Sequence, residues 1–229
     1  MLASAARQPA WSATTLSKAA DDGGRNGPDP PTLPVSGPGT DPETQRRIGR
    51  AVHDALAKIE LPSSGVLTED AAGIAATAAQ AQHLDEAAAV LVVELVRSAI
   101  GSPLLRSIAS GRHWKELPLA APLPTADGEL EGGVIEGFAD LVGESSAGLV
   151  VVDFKTSAGR SSSTQYLWQV ALYAYALSAA TGRKVDRVVV TYLRVDGTEE
   201  ESLAGAELAA AIDQVLATAR SAGALSRPR

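Results

Sequence analysis

Two aspartates and one lysine in the stretch EGFADLVGESSAGLVVVDFKTS have types and spacing that could do chemistry together: Asp140, Asp153 and Lys155. Asp153 comes thirteen positions after Asp140 and opens an Asp-x-Lys triplet behind a valine run. Side chains alternate along a strand, so Asp153 and Lys155 fall on one face. Two carboxylates brought in on neighbouring strands can hold a hard divalent cation; magnesium commonly takes one or two protein carboxylates plus waters and substrate phosphate. With an ammonium beside them they form a phosphodiester-cleaving set, the metal activating water and neutralising charge while the lysine positions or polarises the nucleophile. A carboxylate directly after Val150, Val151 and Val152 is costly to bury unless something binds it. A structural salt bridge to Lys155 is the bland account of the same triplet.

Other polar residues stand in less telling surroundings. Gln169 and Tyr173 lie four apart in YLWQVALYAYAL, where Tyr166, Val170, Tyr173 and Leu177 make an apolar stripe at helical spacing. Core packing is the default for those tyrosines, and Gln169 is the polar intruder beside them. His53 sits mid-helix one turn after Gly49, a place more often held by a boundary residue than by a ligand. Glu116 opens a strand and is a third acidic candidate. Arg112-His113-Trp114-Lys115 is a small basic patch with an aromatic, a weak mark of nucleic-acid contact. Gly137 inside a strand pattern marks a close backbone approach.

The elements that must position these residues begin at Asp41. Residues 1–42 are rich in Pro, Gly, Ser and Asp and read as a disordered or linker tail, with 11–18 more structured in character, as a strand or a helix start. Asp41-Pro42-Glu43 opens a helix whose apolar face carries Ile48, Val52, Leu56 and Ile59. Further helices are predicted over 68–82, 84–100 and 104–110. Strands are predicted over 117–123, 134–142 and 149–155, with a polar turn at 125–129. A helix over 164–180, a strand over 185–193 and a helix over 207–220 complete an α/β domain spanning 43–229. The strand over 149–155 is apolar on both faces, as in the centre of a sheet covered on both sides.

At 229 residues, 45% hydrophobic and with a mean hydropathy of +0.03, the chain can bury the core of one domain. It has no cysteine, which excludes a disulfide framework, a cysteine zinc site and an iron–sulfur cluster, and suits a reducing cytoplasm. The start lacks an apolar signal core, and the longest apolar run, 87–93, is too short to span a bilayer. No Gly-x-x-x-x-Gly-Lys-Ser/Thr occurs, so the chain carries no such ATPase motif. The net charge of -7 argues against a free-standing nucleic-acid binder, which usually presents a basic surface to phosphates.

In order and spacing these residues resemble the C-terminal nuclease domain of RecB/AddA-type helicase–nucleases, within the PD-(D/E)xK superfamily, and more closely that domain of actinobacterial UvrD-like exonucleases. Gly49-x-x-x-His53, Lys115-Glu116, Gly137-x-x-Asp140-Leu141, Asp153-Phe154-Lys155-Thr156 and Gln169-x-x-x-Tyr173 carry the likeness, over residues 43 to about 195. The resemblance implies a restriction-endonuclease-like core with a central mixed sheet flanked by helices. It implies an exonuclease that hydrolyses DNA with magnesium or manganese, the metal held by His53, Asp140, Asp153 and the carbonyl of Phe154. Asp140, Asp153 and Lys155 would then be catalytic, with Gln169, Tyr173 and Glu116 supporting the site or contacting DNA. Phe154 departs from the usual tyrosine, where only the backbone is needed. The resemblance further implies double-strand break repair beside a helicase motor, in the same complex or on a longer parent chain, and a motor that threads DNA would account for the acidic charge. The rival is a catalytically silent, nuclease-like DNA-contact or assembly module, against which the intact Asp140, Asp153 and Lys155 count.

Overall fold

The structure, a computed structural model, describes residues 10–15, 41–124, 133–156 and 163–225. Asp41 starts the first helix as its N-cap. Its carboxylate accepts the backbone N–H groups of Glu43 and Thr44, and Pro42 occupies the first turn, where no donor is required. This helix, α1 (Pro42–Lys58), buries Ile48, Ala51, Val52, Ala55 and Leu56. Thr68 and Asp85 cap α2 (Glu69–Ala81) and α3 (Glu86–Gly101) in the same manner. Ser102 then ends α3 and caps α4 (Pro103–Ala109). Small side chains on α2, among them Ala71, Ala75, Ala78 and Ala79, let it pack closely against α1 and α3.

Six strands form one mixed sheet: β1 (Ala10–Ser12), β2 (His113–Pro122), β3 (Val134–Ser145), β4 (Gly148–Lys155), β5 (Val185–Arg194) and β6 (Gly197–Ala204). β3 pairs antiparallel with β2 along one side and with β4 along the other. β1 lies parallel to the start of β3, from Ala10↔Val134 to Ser12↔Glu136. α5 (Ser163–Thr181) carries the chain from β4 to the parallel strand β5, and β6 turns back antiparallel before α6 (Gly205–Leu225). α1 to α4 pack on Leu141, Val150, Val152, Phe154, Val189 and Leu193. The opposite face, with Val151, Val188, Val190 and Tyr192, packs on α5 and α6. β4 and β5 are therefore buried on both faces, as the apolar run of β4 requires.

Two features depart from the sequence expectations. β6 is not among the expected strands, since Gly197-Thr-Glu-Glu-Glu-Ser lacks an apolar face; it is an edge strand, where charge is tolerated and discourages pairing with another chain. β2 begins at His113, four residues before the expected 117, since Trp114 and Lys115 already pair with Val142 and Leu141. Within the segment 1–42, Ala10–Ser12 is a strand of the sheet. Residues 1–9 and 16–40, and the turn at 125–129, lie outside the described residues. Among the described residues no single helix is long and apolar enough to cross a membrane; the bent pair α3–α4 is apolar because it packs in the core.

Candidate functional site

The ladder between β3 and β4 runs from Ser145↔Gly148 to Leu141↔Val152 and ends there. The next residue of β3 is Asp140. Its Oδ2 accepts the Phe154 N–H at 2.7 Å, so a side-chain carboxylate stands where a strand carbonyl would otherwise be. On the other side of β3, Lys115↔Leu141 and Leu117↔Ala139 pair while Glu116 does not, and Glu116 has φ 46°. A left-handed conformation at a residue other than glycine costs on the order of 1–3 kcal/mol, and such strain persists where surrounding structure or function imposes it. The sheet is thus opened on both sides of Asp140.

α1 closes over this opening. His53 Nδ1 lies 3.2 Å from Asp140 Oδ1. His53, Glu116 and Asp140 each present one potential ligand atom, all within 4.8 Å of one another. The close approach depends on Gly49, one turn before His53, because a Cβ there would stand 3.1 Å from Thr156 Oγ1 at the end of β4. Burial acts to lower the His53 pKa, but the hydrogen bond and charge of Asp140, with Asp153 behind it, outweigh burial and raise it. Burial and the charge of Asp140 likewise raise the Glu116 carboxyl. Both shifts mark a concentration of negative charge that a cation would relieve. A groove of about 550 Å³ leads to the cluster along α1, lined by Arg46, Gly49, Arg50, His53, Asp54, Ala57 and Glu116.

Asp153 and Lys155 face the α5 side of the same opening. Asp153 is 3% exposed and forms an ion pair with Lys155, whose Nζ lies 2.5 Å from its Oδ2. Burial pushes the Asp153 carboxyl up against the pull of Lys155. Burial opposes the charge on Lys155, yet Asp153 and Asp140 hold its pKa above the ordinary lysine value. The ammonium also sits 4.7 Å from the centre of the Tyr166 ring. Behind the pair, Gln169 Nε2 donates to Tyr173 Oη at 2.7 Å and to Thr14 Oγ1 at 3.2 Å. Burial, with Asp153 nearby, lifts the Tyr173 phenol to about 12.

Tyr173 lies directly over Gly137, where an added Cβ would come 2.5 Å from its ring Cε1. Gly137→Ala is therefore expected to lower stability by about 1–3 kcal/mol, the usual cost of overpacking a core contact. A thermal melt equal to that of the wild type would show that the ring moves aside freely.

The sequence-predicted residues thus meet from both faces of the sheet. His53 and Asp140 join on the α1 side, Asp153 and Lys155 on the α5 side, with Gln169 and Tyr173 bracing the latter. Glu116, expected as a third acidic candidate or as support, shares the ligand cluster; its positive φ has no signature in the sequence. Phe154 touches Asp140 through its N–H, and its ring meets the His53 ring edge-on at 6.4 Å. The basic patch is committed to the fold. Arg112 lies over Trp114 and pairs with Glu144, and the Lys115 ammonium donates to the Ile59 carbonyl at the end of α1.

A family model of the PD-(D/E)XK nuclease superfamily matches residues 31–226. The chain belongs to the PD-(D/E)XK nuclease superfamily. The mixed sheet flanked by helices is the restriction-endonuclease-like fold of that superfamily, and Asp153-Phe154-Lys155 has the D-x-K form of its name. PD-(D/E)XK nucleases generally use divalent metals, for which the His53, Glu116 and Asp140 cluster is a candidate site. A solved structure titled "Crystal structure of SSO0001" is similar with a TM-score of 0.36 and 14% identity, covering 89% of this chain and 82% of that one, too slight a likeness to carry function. Among curated proteins no match is found.

Proposed function

We propose that the protein is a cytoplasmic, metal-dependent DNA exonuclease, using magnesium or manganese. In this reading it serves as the nuclease module of a RecB/AddA-type helicase–nuclease in double-strand break processing. The nuclease unit is residues 43–229, to which the preceding segment adds β1. The observation that carries the reading is the convergence of His53, Glu116 and Asp140 within 4.8 Å beside the buried Asp153–Lys155 pair.

The donor set fits a divalent cation. It offers one imidazole and two carboxylates, beside the buried Asp153–Lys155 ion pair. His53, Glu116 and Asp140 would hold the ion, with Asp153 on its inner side. A cation bound there neutralises phosphate charge and lowers the pKa of water. Lys155, kept charged by Asp153, orients the nucleophile or stabilises charge developing on the phosphate. Gln169 and Tyr173 fix the α5 side of the opening against β3.

A motor partner is supported by charge. The chain carries -7, and Arg46 and Arg50 in the groove are both paired with Glu43, so the chain captures DNA poorly by itself.

The test is cleavage of end-labelled DNA over titrations of magnesium and of manganese, with chelator as control. A mixed imidazole–carboxylate site suits manganese better than magnesium, so manganese should act at the lower concentration. His53→Ala should raise the metal needed for half-maximal rate by at least about 10-fold. An unchanged titration curve would return His53 to a packing role, and a wild-type chain that cleaves DNA with neither metal would sink the nuclease reading.

A further inference from the structure

Phe138 is 59% exposed, whereas the other phenylalanine of the chain, Phe154, is 3% exposed. It stands two residues before Asp140 on β3, so both side chains emerge on one face, about 7 Å apart along the strand at the usual rise per residue. The neighbouring residues Ile135 and Ala139 pack on the opposite, α5 face, which fixes the orientation. Pro118 and Ala120 of β2 lie opposite Phe138 and Glu136, and all four are exposed. Packing by α1 to α4 on β3 includes Leu141, and this more N-terminal part of the β2–β3 surface stays open.

Charge divides the surroundings of the ligand cluster. The α1 groove presents Arg50 and Arg46, one and two helical turns before His53, balanced there by Glu43 and Asp54. On the sheet side Glu116 and Glu136 repel phosphate, and the Lys115 ammonium is taken up by the Ile59 carbonyl. A nucleic-acid strand crossing the cluster therefore sets its backbone toward α1 and its bases toward β2 and β3. On that side stands the exposed Phe138 ring.

We propose that Phe138 is a positioning residue on which the base of a nucleotide next to the scissile phosphate stacks. The proposal rests on the nuclease reading above and deepens it: an unpaired base can lie flat on the ring, and a base held inside a duplex cannot. Stacking of this kind tolerates any base, because every base has a π-face. It makes the sheet beside the metal cluster selective for strand state and indifferent to sequence.

The test is fluorescence anisotropy of the full chain with single-stranded oligonucleotides in calcium, as a non-cleaving ion, using a series in which one nucleotide at a time is abasic. Wild type should lose about ten-fold in affinity at one abasic position, the scale on which a single base–aromatic stack is felt. Phe138→Ala should show the same loss with intact DNA, no further loss at that abasic position, and an unchanged melting temperature. Phe138→Trp should restore binding, and its fluorescence should be quenched by DNA beyond that of the native tryptophans. Equal affinity of wild type and Phe138→Ala, or an abasic penalty that survives in Phe138→Ala, overturns the stacking role while leaving metal-dependent cleavage standing. Wild-type binding that loses nothing at any abasic position overturns the stacking role as well, and metal-dependent cleavage, measured separately, decides the nuclease reading.

Discussion

Asp140→Asn is expected to abolish metal-dependent cleavage while leaving the fold standing. Asp140 does three things at once: it belongs to the ligand cluster, holds His53, and accepts the Phe154 N–H. Asparagine keeps an acceptor for Phe154 but removes the charge. The loss of several kcal/mol of charge stabilisation corresponds to a rate reduction on the order of 10³ or more. The melt should stay near the wild type, because the N–H retains a partner. Asp140→Ala removes that partner as well, and a part-buried donor left unpaired costs about 1–3 kcal/mol. The two variants should therefore be alike in rate and differ in stability. Residual cleavage by Asp140→Asn within ten-fold of the wild type would take the carboxylate out of the mechanism.

The second large effect is expected at Lys155. Removing one partner of a buried ion pair typically costs about 3–5 kcal/mol, because the other charge is left uncompensated. Lys155→Met should thus lose both turnover and stability, the latter through Asp153. The sign of its pH dependence follows. Burial already raises the Asp153 carboxyl above 3.8, and Lys155 is the largest influence pulling it down, so the variant raises it further. A carboxyl with a raised folded-state value binds a proton on folding. Its contribution is fully present below 3.8 and is lost as pH rises through the raised value. The melting deficit of Lys155→Met against the wild type should therefore widen as pH rises above 3.8. Adding Asp153→Asn should remove most of that pH dependence. A deficit independent of pH would assign the loss to packing of the lysine stem against Tyr166.

Much of this arrangement was legible because the same residues satisfy local and global demands. Asp41-Pro42 announced α1 through its cap, and the valine run of β4 announced a strand buried on both faces. Gly49 and Gly137 were readable as close approaches, and each faces a partner that a Cβ would crowd: Thr156 and Tyr173. β6 was hidden, because its glutamates follow the logic of an edge strand rather than the alternation of a buried one. The role of Glu116 was hidden for another reason. It depends on a backbone angle that neither composition nor periodicity encodes, and on α1 arriving from a distant part of the chain. Asp153 and Lys155 share one strand face and form the salt bridge that the triplet allowed, but that the pair turns toward α5 came only with the helix packed above it.

The carboxylate that replaces a strand carbonyl at Phe154 also makes that amide a built-in witness. Its exchange with solvent and its proton resonance depend on where Asp140 Oδ2 sits, not on the neighbouring strand. Any ligand that draws the carboxylate toward His53 and Glu116 lengthens that one hydrogen bond while the ladder from Leu141 to Ser145 stays closed. Occupancy of the cluster can thus be followed at a single backbone position, in the absence of DNA and of turnover, as the amide next in line after the closed ladder becomes the fastest of its strand to exchange.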